Sequence, residues 1–130
     1  MISFDTDMIR PYGYCADLSR SWTCGYTPMT SIERSLYDTA IEQINHNLEL
    51  IKPGDSFSDF NNNSWRIPKP HIDYRYSLAV HGMADEWPVI PLHIDWGDSA
   101  MSGQFEPGMV VCVVRSLLST LFQITLVNIQ

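Results

Sequence analysis

Three aspartates near the start of the chain have a spacing that suits a divalent-metal site. A Pro-Tyr-Gly turn signal centred on Tyr12 separates Asp5 and Asp7 from Asp17. In a hairpin with that centre, positions 7 and 17 lie opposite each other, and Asp5 lies on the same face, diagonal to Asp17. Carboxylates this close repel one another unless a divalent cation neutralises them and takes their oxygens as ligands. The segment therefore predicts half of a metal site, and the alternative is that these aspartates are turn and edge-strand residues.

A histidine further along the chain is the candidate nitrogen ligand. His81 follows an aromatic and apolar segment, 74–80, that is typical of a strand. It precedes Gly82, a residue type that lets the backbone come close to another group. Such a histidine is, by itself, most often a hydrogen-bonded core residue. Beside an aspartate cluster, we interpret it as a metal ligand.

Two predicted helices and two predicted strands must position these residues. A long helix is expected from Thr30, which forms a capping box with Glu33, to Ile51, and the Lys-Pro-Gly sequence at 52–54 ends it. Ser56 caps a shorter helix that runs through Trp65. Segments 74–80 and 109–114 have the composition of strands, the second of a buried one.

Composition limits the classes of function. The 130 residues are one domain or part of one, and 45% hydrophobic residues indicate a globular protein. A net charge of −7 with eight Lys plus Arg excludes the basic surface that nucleic acid requires. The three cysteines have no metal-binding spacing and leave one unpaired, which favours a reduced, cytoplasmic protein. The chain shows neither a signal peptide nor an 18-residue apolar run, so no membrane partner is expected.

Several stretches together resemble the pita-bread metallopeptidase family, which includes methionine aminopeptidases, prolidases, proline-specific aminopeptidases and creatinase. The resemblance covers roughly residues 1–113. Its motifs are the segment 4–25, the helix exit at 52–54, the stretch 75–88 with His81-Gly82 and Asp85-Glu86-Trp87-Pro88, and Glu106-Pro107-Gly108-Met109. The resemblance implies an α/β fold of the α+β type. In this partial pita-bread fold, a curved antiparallel sheet carries the site and the long helix packs on its outer face.

The resemblance also implies a reaction and a set of site residues. Members of the family hold a pair of divalent metals, here manganese, iron, cobalt or zinc, whose bridging hydroxide attacks a peptide carbonyl. Asp7, Asp17 and His81 match ligand positions, with Asp5 as an additional carboxylate, and His81, Asp85 and Glu86 are the catalytic candidates. The implied function is a metal-dependent hydrolase of the Xaa-Pro peptidase type. Its partner would be a small peptide or small molecule, and the full-length protein would form a homodimer.

The chain departs from the family pattern in two places. Val113-Val114-Arg115 stands where a glutamate ligand is expected, and residues 116–130 contain no charge, glycine or proline. We therefore expect a partial catalytic domain over 1–113, a divergent, non-native tail over 114–130, and an incomplete, inactive hydrolase. Asp85 also replaces a histidine of the proline-directed members. With the extra Asp5, this resembles a lyase branch of the same fold that cleaves dimethylsulfoniopropionate to acrylate and dimethyl sulfide with a carboxylate base. A non-catalytic relic or binding module is the third alternative.

Overall fold

The computed structural model describes residues 2–6, 8–9, 11–13, 15–83, 86–97, 102–115 and 124–130. These residues form a mixed α/β structure with antiparallel sheets, which confirms the fold class expected for a partial pita-bread fold. The strands and helices are β1 (Ile2–Thr6), β2 (Leu18–Trp22), α1 (Ser31–Glu49), α2 (Phe57–Asn63), β3 (Leu78–Gly82), β4 (Val89–Pro91), β5 (Val110–Val114) and β6 (Ile124–Asn128). Within these ranges, no helix combines the length and the apolar character needed to cross a membrane.

Strands β1 and β2 form the predicted hairpin. Their pairing runs in a single register from Ile2 opposite Trp22 to Thr6 opposite Leu18, which centres the hairpin on Tyr12. Tyr12 has a φ of 76°, in the left-handed region that few non-glycine residues adopt. The expected centre of the turn is confirmed.

The two faces of the hairpin differ in an unusual way. Four apolar side chains on one face are exposed by 39–52%, whereas Ser19 on the other face is fully buried. Asp17, directly before β2, is also buried, with 3% of its surface exposed. The start of β2 therefore turns its polar side chains inward, and β2 contacts β6. The exposed apolar residues are Ile2, Phe4, Leu18 and Trp22.

Helix α1 begins as the sequence predicts. The hydroxyl of Thr30 accepts a hydrogen bond from the backbone N–H of Glu33, and the Glu33 carboxylate accepts one from the backbone N–H of Thr30. This reciprocal pair satisfies two N–H groups that would otherwise lack partners at the helix start. The helix ends at Glu49, and its buried face includes polar Gln43 and Asn47 beside Ala40.

Helix α2 is shorter than predicted. Ser56 caps it as expected, but it ends at Asn63, before Trp65. Phe57 and Phe60 are buried, and their rings meet Phe105 edge to face at centroid distances of 5.0 and 5.7 Å. Such aromatic contacts anchor the helix to the core.

The second sheet has the strand order β4-β3-β5-β6 and is antiparallel throughout. Side chains of β5 alternate between its faces: Val111 and Val113 join the core with Ala40 of α1, whereas Cys112 and Val114 form a separate cluster. The sheet thus has one face packed against helix α1, as predicted. Its other face carries His81 and Cys112.

The structure differs from the sequence prediction at the start of β3, and it has a further strand, β6, near residue 130. The strand expected over 74–80 begins only at Leu78, because residues Lys69–Tyr74 form a 3-10 helix with Pro70 in its first turn. Residues Ile124–Asn128, in the expected tail, form β6 and pair with all five residues of β5. The expected boundary between 113 and 114 stays a prediction.

Candidate metal centre

Three buried side chains from separate parts of the chain meet at one point. Asp17, His81 and Cys112 each offer a ligand atom, and these atoms all lie within 4.8 Å of one another. Their exposed fractions are 3%, 1% and 0%. An oxygen, a nitrogen and a sulfur donor thus converge where water is largely excluded.

Sheet pairing places two of these residues. His81 on β3 lies directly opposite Cys112 on β5 in the antiparallel ladder. Directly paired residues project from the same face, with Cβ atoms roughly 5 Å apart. Asp17 reaches the same point from the start of β2, because the polar face of the hairpin is turned inward.

The orientation of the His81 ring leaves Nε2 as the atom that would bind a metal ion. Its Nδ1 lies 2.7 Å from the backbone carbonyl oxygen of Gly82, which can only accept a hydrogen bond, so Nδ1 carries the proton. In this tautomer Nε2 has the lone pair, and it lies 3.9 Å from Oδ2 of Asp17. Metal-binding histidines commonly donate their second ring N–H to a carbonyl in this way.

The donor separations fit a single small ion. The Sγ atom of Cys112 lies 3.4 Å from Oδ2 of Asp17, and Nε2 of His81 lies 3.9 Å from the same oxygen. Two ligands of a tetrahedral ion, with bonds of about 2.0 to 2.3 Å, lie roughly 3.3 to 3.8 Å apart. Both distances to Oδ2 of Asp17 are thus close to the spacing that ligands of one divalent cation have.

Asp5 does not share this point. It lies opposite Ser19 in the hairpin, and the buried Ser19 hydroxyl donates a hydrogen bond of 2.5 Å to Oδ1 of Asp5. The same oxygen accepts the backbone N–H of Thr6 at 3.1 Å. Asp5 is thus on the same face of the hairpin but outside the described three-residue cluster, and its role as a ligand stays a prediction.

The segment after His81 folds back sharply. A Cβ atom on Gly82 would lie 2.3 Å from the carbonyl oxygen of Trp87 and 2.8 Å from that of Glu86, so only glycine fits this close approach. The Glu86 side chain is exposed and is not one of the three residues of the buried cluster. The predictions for Asp7 and Asp85 lie outside the described residues.

Strand β5 presents an apolar side chain where a ligand was expected. Val114 shares the face of Cys112 and packs with it near Tyr76 and Met83. Arg115 follows at 2% exposure, and burial lowers the pKa of its guanidinium to about 10. Neither Val114 nor Arg115 supplies a carboxylate, which agrees with the missing glutamate noted in the sequence.

Cys112 is the site residue that sequence reasoning missed. The cysteines have no characteristic spacing, and Cys112 sits inside an apolar run typical of a buried strand. Its proximity to the site depends on the pairing of β3 with β5, which places it opposite His81. The sequence predicted a strand over 109–114, but Cys112 could have been identified as a site residue only if the register of β5 against β3 had been known.

Comparison with known proteins agrees with the resemblance noted in the sequence. A family model described as metallopeptidase family M24 matches residues 1–117. The dimethylsulfoniopropionate lyase DddP of Roseovarius nubinhibens is 36% identical over 119 residues, which cover 87% of this chain and 26% of the relative. The protein of the same name from Roseobacter denitrificans is 33% identical over 119 residues, with the same coverage. The chain spans about a quarter of the length of these curated relatives.

Proposed function

The chain belongs to metallopeptidase family M24, and we propose that it carries the metal-binding part of a dimethylsulfoniopropionate lyase. The observation that carries this proposal is the similarity, at 36% and 33% identity, to two proteins named as lyases for that compound. We therefore prefer the lyase to the Xaa-Pro peptidase, because the peptidase assignment rested on the general family pattern. The lyase was the alternative drawn from Asp85 and Asp5.

Asp17 and His81 are the residues that would hold a divalent ion, and their buried oxygen and nitrogen donors fit manganese, iron, cobalt or zinc. When bound, such an ion supplies positive charge that stabilises the negative charge developing on a substrate carboxylate. A second ion, as the resemblance implies, would need carboxylates beyond Asp17. Asp7 is the candidate within this chain.

The proposed reaction is an elimination that needs a base. A carboxylate removes the proton from the carbon next to the substrate carboxyl group, and that electron pair forms the carbon–carbon double bond of acrylate. The bond between carbon and the sulfonium sulfur breaks, and its electrons leave with neutral dimethyl sulfide. We assign the base to Asp85, which replaces a histidine of the peptidases, with Glu86 beside it in sequence.

A chimera tests this function with the remaining ligands supplied by a relative. Residues 1–113 would replace the matching segment of the Roseovarius nubinhibens protein, and the purified, metal-loaded chimera would be given dimethylsulfoniopropionate or an Xaa-Pro dipeptide. We expect release of dimethyl sulfide, measured by headspace gas chromatography, and no release of proline. Asp85→Asn should lower the rate by about 10² to 10⁴-fold, the usual range for a general base.

A matched variant separates loss of the base from a general loss of charge. Asp38→Asn changes an exposed aspartate on α1 and should leave the rate unchanged. Release of proline without dimethyl sulfide would assign the chain to the peptidases. A folded, metal-loaded chimera with neither activity would overturn the lyase proposal and favour a relic or binding module. The same proposal includes a cytoplasmic location, a homodimeric full-length protein and a small-molecule partner.

A further inference from the structure

We propose that Cys112 is a third metal ligand through its sulfur, and that the site therefore prefers zinc or cobalt to manganese. The inference rests on the metal binding proposed above and adds to it a ligand that is not a carboxylate. It also concerns a residue that the lyase and the peptidase readings leave unused.

The position of the sulfur relative to the other two donors carries this proposal. The Sγ atom of Cys112 is 3.4 Å from Oδ2 of Asp17 and within 4.8 Å of the His81 donor. The 3.4 Å separation between sulfur and oxygen falls in the range of roughly 3.3 to 3.8 Å that two ligands of one tetrahedral ion have. The Cys112 thiol donates a hydrogen bond to Oδ2 of Asp17, and a metal ion that replaced this proton would lie between the sulfur and the oxygen.

Charge balance favours the same conclusion. Asp17 as a carboxylate and Cys112 as a thiolate carry one negative charge each, which together match the two positive charges of the ion, while His81 remains neutral. The thiol proton is released to solvent when the sulfur–metal bond forms. A neutral cluster is much less costly to bury than an uncompensated charge, and all three side chains are at most 3% exposed.

The donor set also determines which ion is preferred. Thiolate ligands select zinc and similar ions, whereas sites made only of carboxylates and water suit manganese and magnesium. An oxygen, nitrogen and sulfur set leaves a fourth position open for water or substrate, as in catalytic zinc sites with three protein ligands.

Cobalt absorption tests the assignment on the full chain. Titration of the reduced, metal-free protein with cobalt(II) should produce a sulfur-to-cobalt charge-transfer band in the near ultraviolet that saturates at one ion per chain. Cys112→Ser should abolish this band and weaken cobalt binding by at least about 10-fold. Cys24→Ser, which changes an exposed cysteine, should leave both unchanged.

The outcomes separate failure of this inference from failure of metal binding itself. Visible d–d absorption without the charge-transfer band would show that cobalt binds without Cys112 and would overturn the inference alone. Absence of any cobalt absorption would overturn the metal site as a whole. Cys112→Ala, which keeps the position apolar, provides the same comparison if the serine variant does not fold by circular dichroism.

Discussion

Nε2 of His81 lies 3.9 Å from Oδ2 of Asp17, in a place where both side chains are almost fully buried. The two residues are 64 positions apart in the sequence (81 − 17): Asp17 directly precedes β2 of the two-stranded sheet, whereas His81 lies on β3 of the four-stranded sheet. A buried carboxylate beside an imidazole is costly without neutralisation, and a divalent ion provides it.

Metal binding should stabilise the fold. At a free concentration 100 times the dissociation constant, an ion that binds only the folded state adds about 2.7 kcal/mol to the free energy of unfolding. We therefore expect zinc to raise the melting temperature, and a chelator to reverse the increase. Differential scanning calorimetry of wild type and Asp17→Asn is the measurement. An equal increase in the variant would show that the stabilising ion binds elsewhere.

Asp5 and Asp17 should differ in their contribution to metal affinity. Asp5 is hydrogen-bonded to Ser19 and outside the three-residue cluster, so Asp5→Asn should weaken zinc binding by no more than the roughly 10 to 100-fold that is typical of a residue outside the ligand set. Asp17→Asn removes a direct donor and should weaken binding by more. Isothermal titration calorimetry compares the two variants. Equal losses would place Asp5 among the ligands, as the sequence predicted.

Gly82 should not tolerate a side chain. Gly82→Ala would place a methyl group 2.3 Å from the Trp87 carbonyl oxygen, so the backbone after His81 must shift. We expect a loss of about 1 to 3 kcal/mol in the free energy of unfolding, the usual cost of overpacking. Gly97→Ala is the control, because a Cβ there meets no atom of the described residues within 4 Å. Urea denaturation measures both, and similar small losses would refute the steric explanation.

Arg115 should destabilise the fold. Among the described residues, its Nε, Nη1 and Nη2 atoms have no hydrogen-bond partner, and burial lowers its pKa to about 10. At about 1.36 kcal/mol per unit, the shift corresponds to roughly 3 kcal/mol. Arg115→Met should therefore raise the free energy of unfolding at pH 7 by up to this amount, whereas Arg34→Met, at an exposed position, should change it by less than about 0.5 kcal/mol.

The pH dependence of Arg115 has a defined sign. Because its pKa is lower in the folded state, the unfolded chain binds more protons from about pH 10 up to the ordinary pKa of arginine. Stability contributed by this group therefore rises with pH across that window. The advantage of Arg115→Met over wild type should shrink as pH increases there. An advantage that stays constant from pH 7 upward would contradict the burial of a charged guanidinium.

Features fixed by neighbouring residues could be predicted from the sequence. The start of α1 depends on Thr30 and Glu33, three positions apart, and the hairpin register depends on a turn centred on Tyr12. Both follow from local hydrogen bonding and backbone preference. The proximity of Asp17 and His81 is a long-range contact; the sequence suggested it through their ligand types, and the family resemblance matched both positions.

Features fixed by the pairing of strands far apart in the sequence could not be predicted. Cys112 reaches the site because it pairs with His81, and a shift of one residue would turn it to the opposite face. The burial of polar side chains in the hairpin was also not predicted. Ser19 and Asp17 are buried, whereas apolar residues beside them are exposed. Hydrophobic patterning alone would have assigned these two faces the other way round.

Anomalous diffraction from a crystal grown with zinc tests the metal centre most directly. We predict a peak at the zinc absorption edge within about 2.0 to 2.2 Å of an Asp17 carboxylate oxygen and of Nε2 of His81. A zinc ion bound only at exposed carboxylates, with Asp17 and His81 still in direct contact and unligated, would contradict the account.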